Sequence, residues 1–285
     1  MVVSGKTRVC GVIGDPIEHT LSPIMHNAAF EALKLDFTYV AFRVKRGDVE
    51  NAIRGVRALG IHGLSVTMPH KIAVMKYLDR VDDFAHVIGS VNTVLNKDGQ
   101  LFGYNTDGVG ALNALRENEV EPKGKKVVLL GAGGAAKAVA YALAQVADEL
   151  VILNRTAQSA VELANSLGKV LRKTVVSGEL SSAALEAHLS DADVLVNATS
   201  VGMKPNIDQI PVPSSLLKSD LALLDIIYDP VETNLAKEAK CVGAKVVSGV
   251  EMLIYQGAAS FEIWTGLKAP VEVMRKAALK ELQRS

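Results

Sequence analysis

Residues 126–144 read KVVLLGAGGAAKAVAYALA, which predicts a strand, a tight glycine turn and a helix. An apolar run at residues 127–130 leads through the turn GAGG, residues 131–134, into a segment with the apolar spacing of a helix. Glycines in such a turn let backbone N–H groups approach a pyrophosphate at the positive end of the helix. Ala136 takes the place of the third glycine of the dinucleotide-binding pattern. The stretch therefore favours a dinucleotide site over the alternative of a merely structural tight turn.

The next apolar run, residues 150–153, ends at Asn154, Arg155 and Thr156. An NAD enzyme typically has an acidic residue here, which bonds the ribose 2′-hydroxyl, and this chain has none. The planar guanidinium of Arg155 can pair with a 2′-phosphate and stack on adenine. The alternative is that Arg155 is an exposed arginine on a helix cap. With the glycine turn upstream, the pattern favours NADP over NAD.

Short apolar runs alternate with segments of helical period along the chain, which predicts an α/β fold with parallel sheets. Asp98-Gly99 between two alternating runs predicts one β-hairpin. The polar segment at residues 121–126 marks a change of domain, with a bridging helix over residues 108–117. Strands are predicted at residues 9–13, 37–44, 63–67, 127–130, 150–153, 194–197, 221–227 and 245–247.

Two helix boundaries can be predicted in the first half. Ser22 is expected to cap a helix that has Pro23 in its first turn. A second helix is expected over residues 48–59, ended by Gly60.

Composition excludes several classes of protein. A length of 285 residues corresponds to about two domains, and 49% hydrophobic residues exclude a disordered chain. The formal net charge of zero gives no basic excess for a nucleic-acid backbone. No uncharged apolar run reaches the roughly 18 residues of a membrane span, and the start lacks a secretory signal, so a cytoplasmic location is expected. Cys10 and Cys241 make no disulfide framework or metal site; both are expected to be buried, and no metal is expected.

Polar residues gather in segments that follow or precede the predicted strands, at residues 19–22, 65–71, 90–93 and 105–108. Ligands of α/β proteins bind where such loops converge. Neutral donors such as Thr20, Ser22 and Asn92 suit a small polyhydroxylated acid, and Lys71 with Asp107 could carry a proton. Each residue has a structural alternative: a helix cap for Thr20, Ser22 and Asp107, a turn for Asn92, and solvation for Lys71.

Motifs along the chain occur in the order of one known family. They are GVIGDPIEHTLSPIMH at residues 11–26, SVTMPHK at 65–71, GSVNT at 89–93, NTDG at 105–108, GAGGA at 131–135, NRT at 154–156, NATSVGM at 197–203, DIIYDP at 225–230 and MLIYQ at 252–256. Through these motifs nearly the whole chain resembles the shikimate dehydrogenase family.

The resemblance implies two α/β domains. One is an N-terminal substrate domain of residues 1–106 and 251–285, to which the C-terminal helices return. The other is a Rossmann-like NADP-binding domain of residues 107–250. The implied reaction is the reversible reduction of 3-dehydroshikimate to shikimate by NADPH, on the route to aromatic amino acids. A homodimer is left open.

The resemblance also implies roles for individual residues. Lys71 and Asp107 would be the catalytic pair. The substrate would contact Thr20, Ser22, Thr67, Lys71, Asn92, Asp107, Tyr228 and Gln256. The cofactor cleft would be lined by Gly131, Ala132, Gly133, Gly134, Ala135, Asn154, Arg155, Thr156, Thr199, Met203, Gly249 and Met252.

Departures from the family pattern leave alternatives open. Thr20 stands where serine is usual, which makes quinate more plausible as a substrate, and Ser65 replaces an asparagine. Ser159 stands where many members have a second basic residue, so NADP affinity rests on Arg155. The alternative enzyme is a quinate/shikimate dehydrogenase of broader substrate or cofactor use. Two other functions remain as alternatives. One is that of a methylenetetrahydrofolate dehydrogenase, and the other is that of a non-enzymatic NADP-sensing regulator.

Overall fold

The computed structural model describes residues 3–284, which divide into two compact units. The first unit takes the chain up to Thr106 and again from Ile254 onward, and the second unit is Asp107–Leu253. Each unit holds a six-stranded sheet, so the predicted α/β class is confirmed. The assignment of substrate to the first unit and of NADP to the second stays a prediction.

The first unit has a mixed sheet of strand order β2-β1-β3-β5-β6-β4. β1 pairs in parallel with β2 and β3, whereas β5 is antiparallel to both β3 and β6. The strands are β1 Arg8–Gly14, β2 Phe37–Arg43, β3 Gly63–Val66, β4 Arg80–Val81, β5 Thr93–Lys97 and β6 Gln100–Tyr104. Helices of this unit are α1 Ser22–Ala32, α2 Val49–Ala58 and α3 Asp83–Ile88, and α10 Val271–Leu282 packs on α1.

The predicted hairpin is confirmed between β5 and β6. Asp98 and Gly99 both have positive φ, 51° and 87°, as a two-residue hairpin turn of the favoured handedness requires. Gly60, with φ of 63°, follows the end of α2 as predicted.

The prediction that Ser22 caps α1 is wrong. Ser22 is the first residue of the helix, and Leu21 occupies the cap position without a side-chain cap bond. The backbone N–H of Ser22 instead donates to Thr20 Oγ1 at 3.3 Å. The buried Ser22 hydroxyl contacts the hydroxyls of Thr20 and Tyr39.

The second unit has an all-parallel sheet of order β12-β11-β10-β7-β8-β9. Its inner strands are buried on both faces, which explains why they read as continuous runs of Val, Leu and Ile. The strands are β7 Lys126–Leu130, β8 Glu149–Asn154, β9 Val176–Glu179, β10 Val194–Asn197, β11 Ala222–Asp225 and β12 Lys245–Val247. The helices are α4 Asp107–Glu117, α5 Gly134–Ala144, α6 Ala157–Leu171, α7 Ser182–Leu189 and α8 Asn234–Cys241, and α9 Gly249–Thr265 begins here and continues in the first unit.

Three sequence predictions need correction. The strands β4 and β9 were not predicted; β9, with sequence VSGE, lies at a sheet edge and has no apolar run. The strand predicted at residues 221–227 ends at Asp225. Cys241 is exposed rather than buried, because the buried face of α8 holds Leu235, Ala236 and Ala239. Cys10 is buried, and burial raises the pKa of its thiol to about 12.

Over residues 3–284, no helix is both long and apolar enough to cross a membrane. The same residues contain no group of three or more His, Cys, Asp or Glu side chains that could hold a metal ion.

Candidate active site

The parallel sheet of the second unit reverses its strand order between β7 and β10. From β7 the chain moves outward to β8 and β9 on one side, then crosses to build β10, β11 and β12 on the other. Ligands of such sheets bind outside the carboxyl ends of the strands at this reversal. Gly131 follows β7 and Ala198 follows β10, so the predicted cofactor turn lies at this point.

The glycine turn packs tightly against the end of β10. Gly131 has a φ of 112°, and a Cβ added there would lie 2.7 Å from the carbonyl oxygen of Ala198. Gly133 is exposed and has an ordinary extended backbone, with φ of −76° and ψ of −176°. Within the described chain, α5 begins at Gly134 with no side-chain cap. Its first N–H groups and its positive end therefore suit a phosphate.

The end of β8 fits the phosphate that distinguishes NADP from NAD. Arg155 and Thr156 are exposed, and the Asn154 side chain donates to the carbonyl oxygen of Thr156 at 3.0 Å. The cap position of α6 is Thr156, so Arg155 is not the helix cap. An exposed guanidinium can meet a bound phosphate without first breaking an ion pair inside the unit.

The remaining predicted cofactor residues lie near the starts and ends of neighbouring elements. Thr199 and Met203 follow β10 and are half-buried, and Met252 is buried in the first turns of α9. Gly249 is the first residue of α9, where an added Cβ would overlap the carbonyl oxygen of Ile227. Tyr228, a predicted substrate residue, is half-buried, and burial raises the pKa of its hydroxyl.

A buried carboxylate joins the ends of β10 and β11. Asp225 accepts hydrogen bonds from Asn197 Nδ2 at 3.1 Å, Thr233 Oγ1 at 2.6 Å and the Ile227 N–H at 3.2 Å. Burial raises the pKa of this carboxyl, and the three hydrogen bonds oppose that shift. The sequence motifs contained Asn197 and Asp225, but sequence reasoning gave neither a role.

In the first unit, Thr20 and Ser22 place two hydroxyls together before and at the start of α1. Thr20 Oγ1 donates to Ser22 Oγ at 3.3 Å. Ser22 is buried and Thr20 is half-buried. The capping alternative for Ser22 does not hold, because α1 has Leu21 at its cap position.

Main-chain hydrogen bonds join the loop of residues 65–71 to the loop of residues 90–93. The N–H of Val91 donates to the carbonyl oxygen of Lys71 at 2.9 Å, and the N–H of Val66 donates to that of Asn92 at 2.8 Å. Thr67 lies on the same loop as Lys71, and its N–H donates to the Ile13 carbonyl at 3.0 Å. The sheet therefore brings together two polar segments that are distant in sequence. Lys71 is half-buried rather than fully solvated.

Asn92 is the centre of a buried polar network and not a turn residue. Its Nδ2 donates to Thr106 Oγ1 at 2.9 Å and to Gln256 Oε1 at 3.4 Å. Its Oδ1 accepts from the Thr106 N–H and the Thr93 hydroxyl, both at 2.8 Å. Ser260 extends the network, with its Oγ 2.7 Å from Thr93 Oγ1. Two predicted substrate residues, Asn92 and Gln256, are thus brought into contact.

Sequence reasoning missed the residues behind Asn92. Thr93 and Thr106 lie inside two of the sequence motifs, but no role was predicted for either. Ser260 lies in no motif and was not predicted. A signal existed for Ser260, because it lies four residues after Gln256 and so shares its helix face.

Asp107 is buried and begins α4. It follows directly on Thr106, which belongs to the Asn92 network. Lys71 lies in the first unit and Asp107 begins the second, and their pairing in catalysis stays a prediction.

Comparison with known proteins identifies the family. The model of the shikimate dehydrogenase substrate binding domain matches residues 12–94, that of shikimate / quinate 5-dehydrogenase matches residues 114–230, and that of the shikimate 5′-dehydrogenase C-terminal domain matches residues 249–279. The chain belongs to the shikimate dehydrogenase family.

Relatives and solved structures of this family are similar over nearly their whole length. The shikimate dehydrogenase (NADP(+)) of Methanocaldococcus jannaschii is 47% identical, covering 99% of this chain and 100% of the relative. A crystal structure of a shikimate dehydrogenase in complex with NADP+ has a TM-score of 0.92 at 45% identity, covering 99% and 98% of the two chains. The Thermus thermophilus enzyme in complex with NADP(H) and shikimate has a TM-score of 0.87 at 38% identity, covering 96% and 99%.

One departure from the shikimate dehydrogenase motifs has a structural partner. Ser65, in place of the usual asparagine, accepts a hydrogen bond from the hydroxyl of Tyr39 at 2.7 Å. Tyr39 is fully buried, which raises the pKa of its phenol, and its ring stacks on His26 with centroids 4.5 Å apart. Tyr39 was not predicted from sequence, because an aromatic residue on a strand has the pattern of an ordinary core residue.

Proposed function

We propose that the protein catalyses the NADP-dependent, reversible interconversion of shikimate and 3-dehydroshikimate. The observation that carries the proposal is the buried network in which Asn92 holds Gln256 and Thr106 beside the loop of Lys71. Such a set of amide, hydroxyl and ammonium groups suits a small acid with several hydroxyls. The glycine turn at the reversal of the second sheet and the exposed Arg155 support NADP as the cofactor.

Recognition of the substrate would fall to neutral donors and acceptors. Thr20 and Ser22 have adjacent hydroxyls, which can rotate from their present partners to donate to a carboxylate. Thr67, Asn92 and Gln256 would bond the ring hydroxyls. Tyr228 is also proposed to border the substrate.

Cofactor binding would use the second unit. The residues of the glycine turn, Gly131 to Ala135, would give backbone N–H groups to the pyrophosphate, and Asn154, Arg155 and Thr156 would hold the adenosine with its 2′-phosphate. When bound, NADPH supplies a hydride to the carbonyl carbon of 3-dehydroshikimate.

The protein must then protonate the oxygen on which negative charge develops. Lys71 would give its proton to that oxygen during reduction and take it back during oxidation. Asp107 would orient Lys71 and bond a substrate hydroxyl. A positioned acid of this kind contributes roughly 10²–10⁴ in rate.

The proposal also covers the location, the biosynthetic role, the oligomeric state and a second candidate substrate of the enzyme. A cytoplasmic location and a role in aromatic amino acid biosynthesis follow from the proposed reaction, and a homodimer is compatible with it. Quinate is the second candidate substrate, because Thr20 puts a methyl group where the family usually has the smaller serine side chain.

The test is an oxidation assay with shikimate or quinate, each with NADP+ or NAD+, followed by the absorbance of the reduced nicotinamide. We expect the highest kcat/KM for shikimate with NADP+. Purified Lys71→Ala serves as the control for contaminating host enzyme. Absence of turnover in all four combinations would reject the proposed function, and a preference for quinate would favour the second candidate.

A further inference from the structure

The buried carboxylate of Asp225 and the carbonyl oxygen of Val201 together determine which way the side-chain amide of Asn197 points, since both accept from Asn197 Nδ2, at 3.1 Å and 3.5 Å. Both residues are almost fully buried, with exposed fractions of 2% for Asp225 and 0% for Asn197. An ionised carboxylate can only accept hydrogen bonds. The group of Asn197 that faces it at 3.1 Å must therefore be the amide nitrogen, Nδ2. The amide oxygen of Asn197 is consequently directed to the opposite side.

The orientation of Asn197 in turn fixes the hydroxyl of Thr199. Asn197 Oδ1 accepts from the Thr199 N–H at 3.2 Å and from Thr199 Oγ1 at 2.7 Å. The Thr199 hydroxyl proton is thus used toward Asn197. One lone pair of the same oxygen accepts from the Val201 N–H at 3.1 Å. A hydroxyl oxygen has two lone pairs, so a single acceptor position of Thr199 is left for a ligand.

This turn lies at the reversal of the sheet, beside the cofactor turn. Ala198, between Asn197 and Thr199, is the residue whose carbonyl oxygen lies under Gly131, and its N–H donates to the Leu130 carbonyl at 2.9 Å. The hydrogen bond to Asp225 therefore orients the Asn197 amide, and the amide orients the Thr199 hydroxyl. This hydroxyl lies beside the crevice in which the dinucleotide is proposed to bind.

We propose that Asp225 is a positioning residue for the cofactor, which acts through Asn197 to present Thr199 Oγ1 as a hydrogen-bond acceptor to an N–H group of the bound dinucleotide. The inference rests on the proposed function, because it takes the dinucleotide as the ligand of the second unit. It adds a role for two motif residues that do not themselves line the cleft.

Asp225→Asn tests the inference with almost no change in shape. An amide at residue 225 can keep its oxygen toward Asn197 only by turning its N–H₂ group toward Thr233, which already accepts the Ala236 N–H at 3.1 Å. The other orientation places two amide N–H₂ groups face to face and forces Asn197 to turn over. In the first orientation Thr233 can accept the new N–H₂ group with its second lone pair, but Asn197 then donates to a neutral acceptor instead of a charged one. In the second orientation Asn197 turns over. The first change loosens and the second reverses the amide that holds Thr199, and we expect NADP+ to bind roughly tenfold less tightly.

A double-mutant cycle separates positioning from general damage. We expect Thr199→Val to weaken NADP+ binding by a similar factor, and the double variant Asp225→Asn/Thr199→Val to bind no worse than Thr199→Val alone. Thr199→Ser, which keeps the hydroxyl, should bind NADP+ nearly as well as the wild type. If the Kd of NADP+ in the double variant rises by the product of the two single increases, the inference is wrong.

Thr233→Val is the matched control. It removes another partner of Asp225 and the cap of α8, but it leaves the bond from Asn197 in place. We expect it to lower the melting temperature without changing the Kd of NADP+. Suppose instead that Thr233→Val and Asp225→Asn lower the melting temperature equally and also raise the Kd of NADP+ equally. Asp225 then has only a structural role.

A cofactor-free measurement distinguishes this inference from the proposed function. Hydrogen exchange of the amides of Thr199 and Val201 should be faster in Asp225→Asn and in Asn197→Ala than in the wild type and in Thr233→Val. Unchanged exchange in both variants would refute the positioning of the turn, even if the wild type binds NADP+. Failure of the wild type to bind NADP+ would reject the proposed function and with it the role toward the cofactor.

Discussion

Replacing Gly133 by alanine should separate the stability of the protein from its affinity for NADP+. The backbone of Gly133, with φ of −76° and ψ of −176°, is one that alanine adopts without strain. Within the described chain, no atom outside its immediate neighbours lies within 4 Å of the added Cβ. Replacing glycine at a compatible position stabilises a protein by about 0.4–1 kcal/mol. Gly133 also occupies the N-cap position of α5, where alanine is less favourable than glycine. The two effects oppose each other, so Gly133→Ala should unfold close to the wild-type temperature.

The effect on NADP+ should be large, because the space around Gly133 is where the proposed pyrophosphate must approach the backbone. A methyl group there pushes the phosphate away from the N–H groups at the start of α5. A hydrogen bond to a charged group contributes about 1.5–3 kcal/mol. Loss of one such bond corresponds to a roughly ten- to hundredfold rise in the Kd of NADP+.

The assay is titration of the purified variants with NADP+ beside a thermal unfolding measurement. Gly131→Ala is the contrasting variant, because its φ of 112° is strained for alanine and its Cβ would lie 2.7 Å from a backbone oxygen. That variant should lose roughly 2 kcal/mol of stability. A Gly133→Ala protein that binds NADP+ like the wild type would refute the assignment of this turn to the pyrophosphate.

Four further predictions concern single residues. Arg155→Ala should raise the KM of NADP+ roughly ten- to hundredfold and leave the KM of NAD+ nearly unchanged, because only NADP+ carries a 2′-phosphate; equal effects on both would remove Arg155 from the site. Ser22→Ala should raise the KM of shikimate but not the Kd of NADP+, and, because the buried Ser22 hydroxyl contacts Thr20 and Tyr39, the free energy of unfolding should fall by about 1 kcal/mol; a lower melting temperature with an unchanged KM would contradict this. Lys71→Ala should lower kcat by orders of magnitude with a smaller change in the KM of shikimate, and Lys71→Arg should not restore it, since a guanidinium stays protonated; full turnover in either variant would place the proton donor elsewhere. Burial lowers the pKa of His26 from 6.5 to about 3. The free energy of unfolding therefore has its full value above pH 6.5. It falls at lower pH, where the imidazole binds a proton in the unfolded chain but not in the folded protein. Urea unfolding at pH 5 should show a loss of about 2 kcal/mol relative to pH 7 that is absent in His26→Phe.

Much of the fold could be predicted because its signals are local. A strand buried on both faces must be apolar throughout, so β7, β8 and β10 are visible as short runs of Val, Leu and Ile. The Asp98-Gly99 turn requires two residues that tolerate positive φ, and Asp followed by Gly is one of the pairs that does so. The edge strand β9 escaped prediction because an edge exposes its side chains and needs no apolar run.

The polar groups of the site could be predicted as a set but not as contacts. Asn92, Gln256 and the loop of Lys71 were each visible as polar residues in motifs. Their hydrogen bonds depend on which strands lie side by side, and Asn92 meets a residue 164 positions further along the chain.

The two-domain α/β class, the glycine turn after β7 and the basic residue that follows β8 could be predicted from the chain alone, because each has a signal in consecutive residues. The packed fold was needed to show that Ser22 begins its helix without capping it, that Asn92 is the centre of a buried network, and that Asp225 accepts a hydrogen bond from Asn197. The physical reason is the same in all three cases. A buried polar group must find a partner wherever the packed strands and helices provide one, and that partner is set by the order of the strands rather than by the neighbouring residues in the sequence.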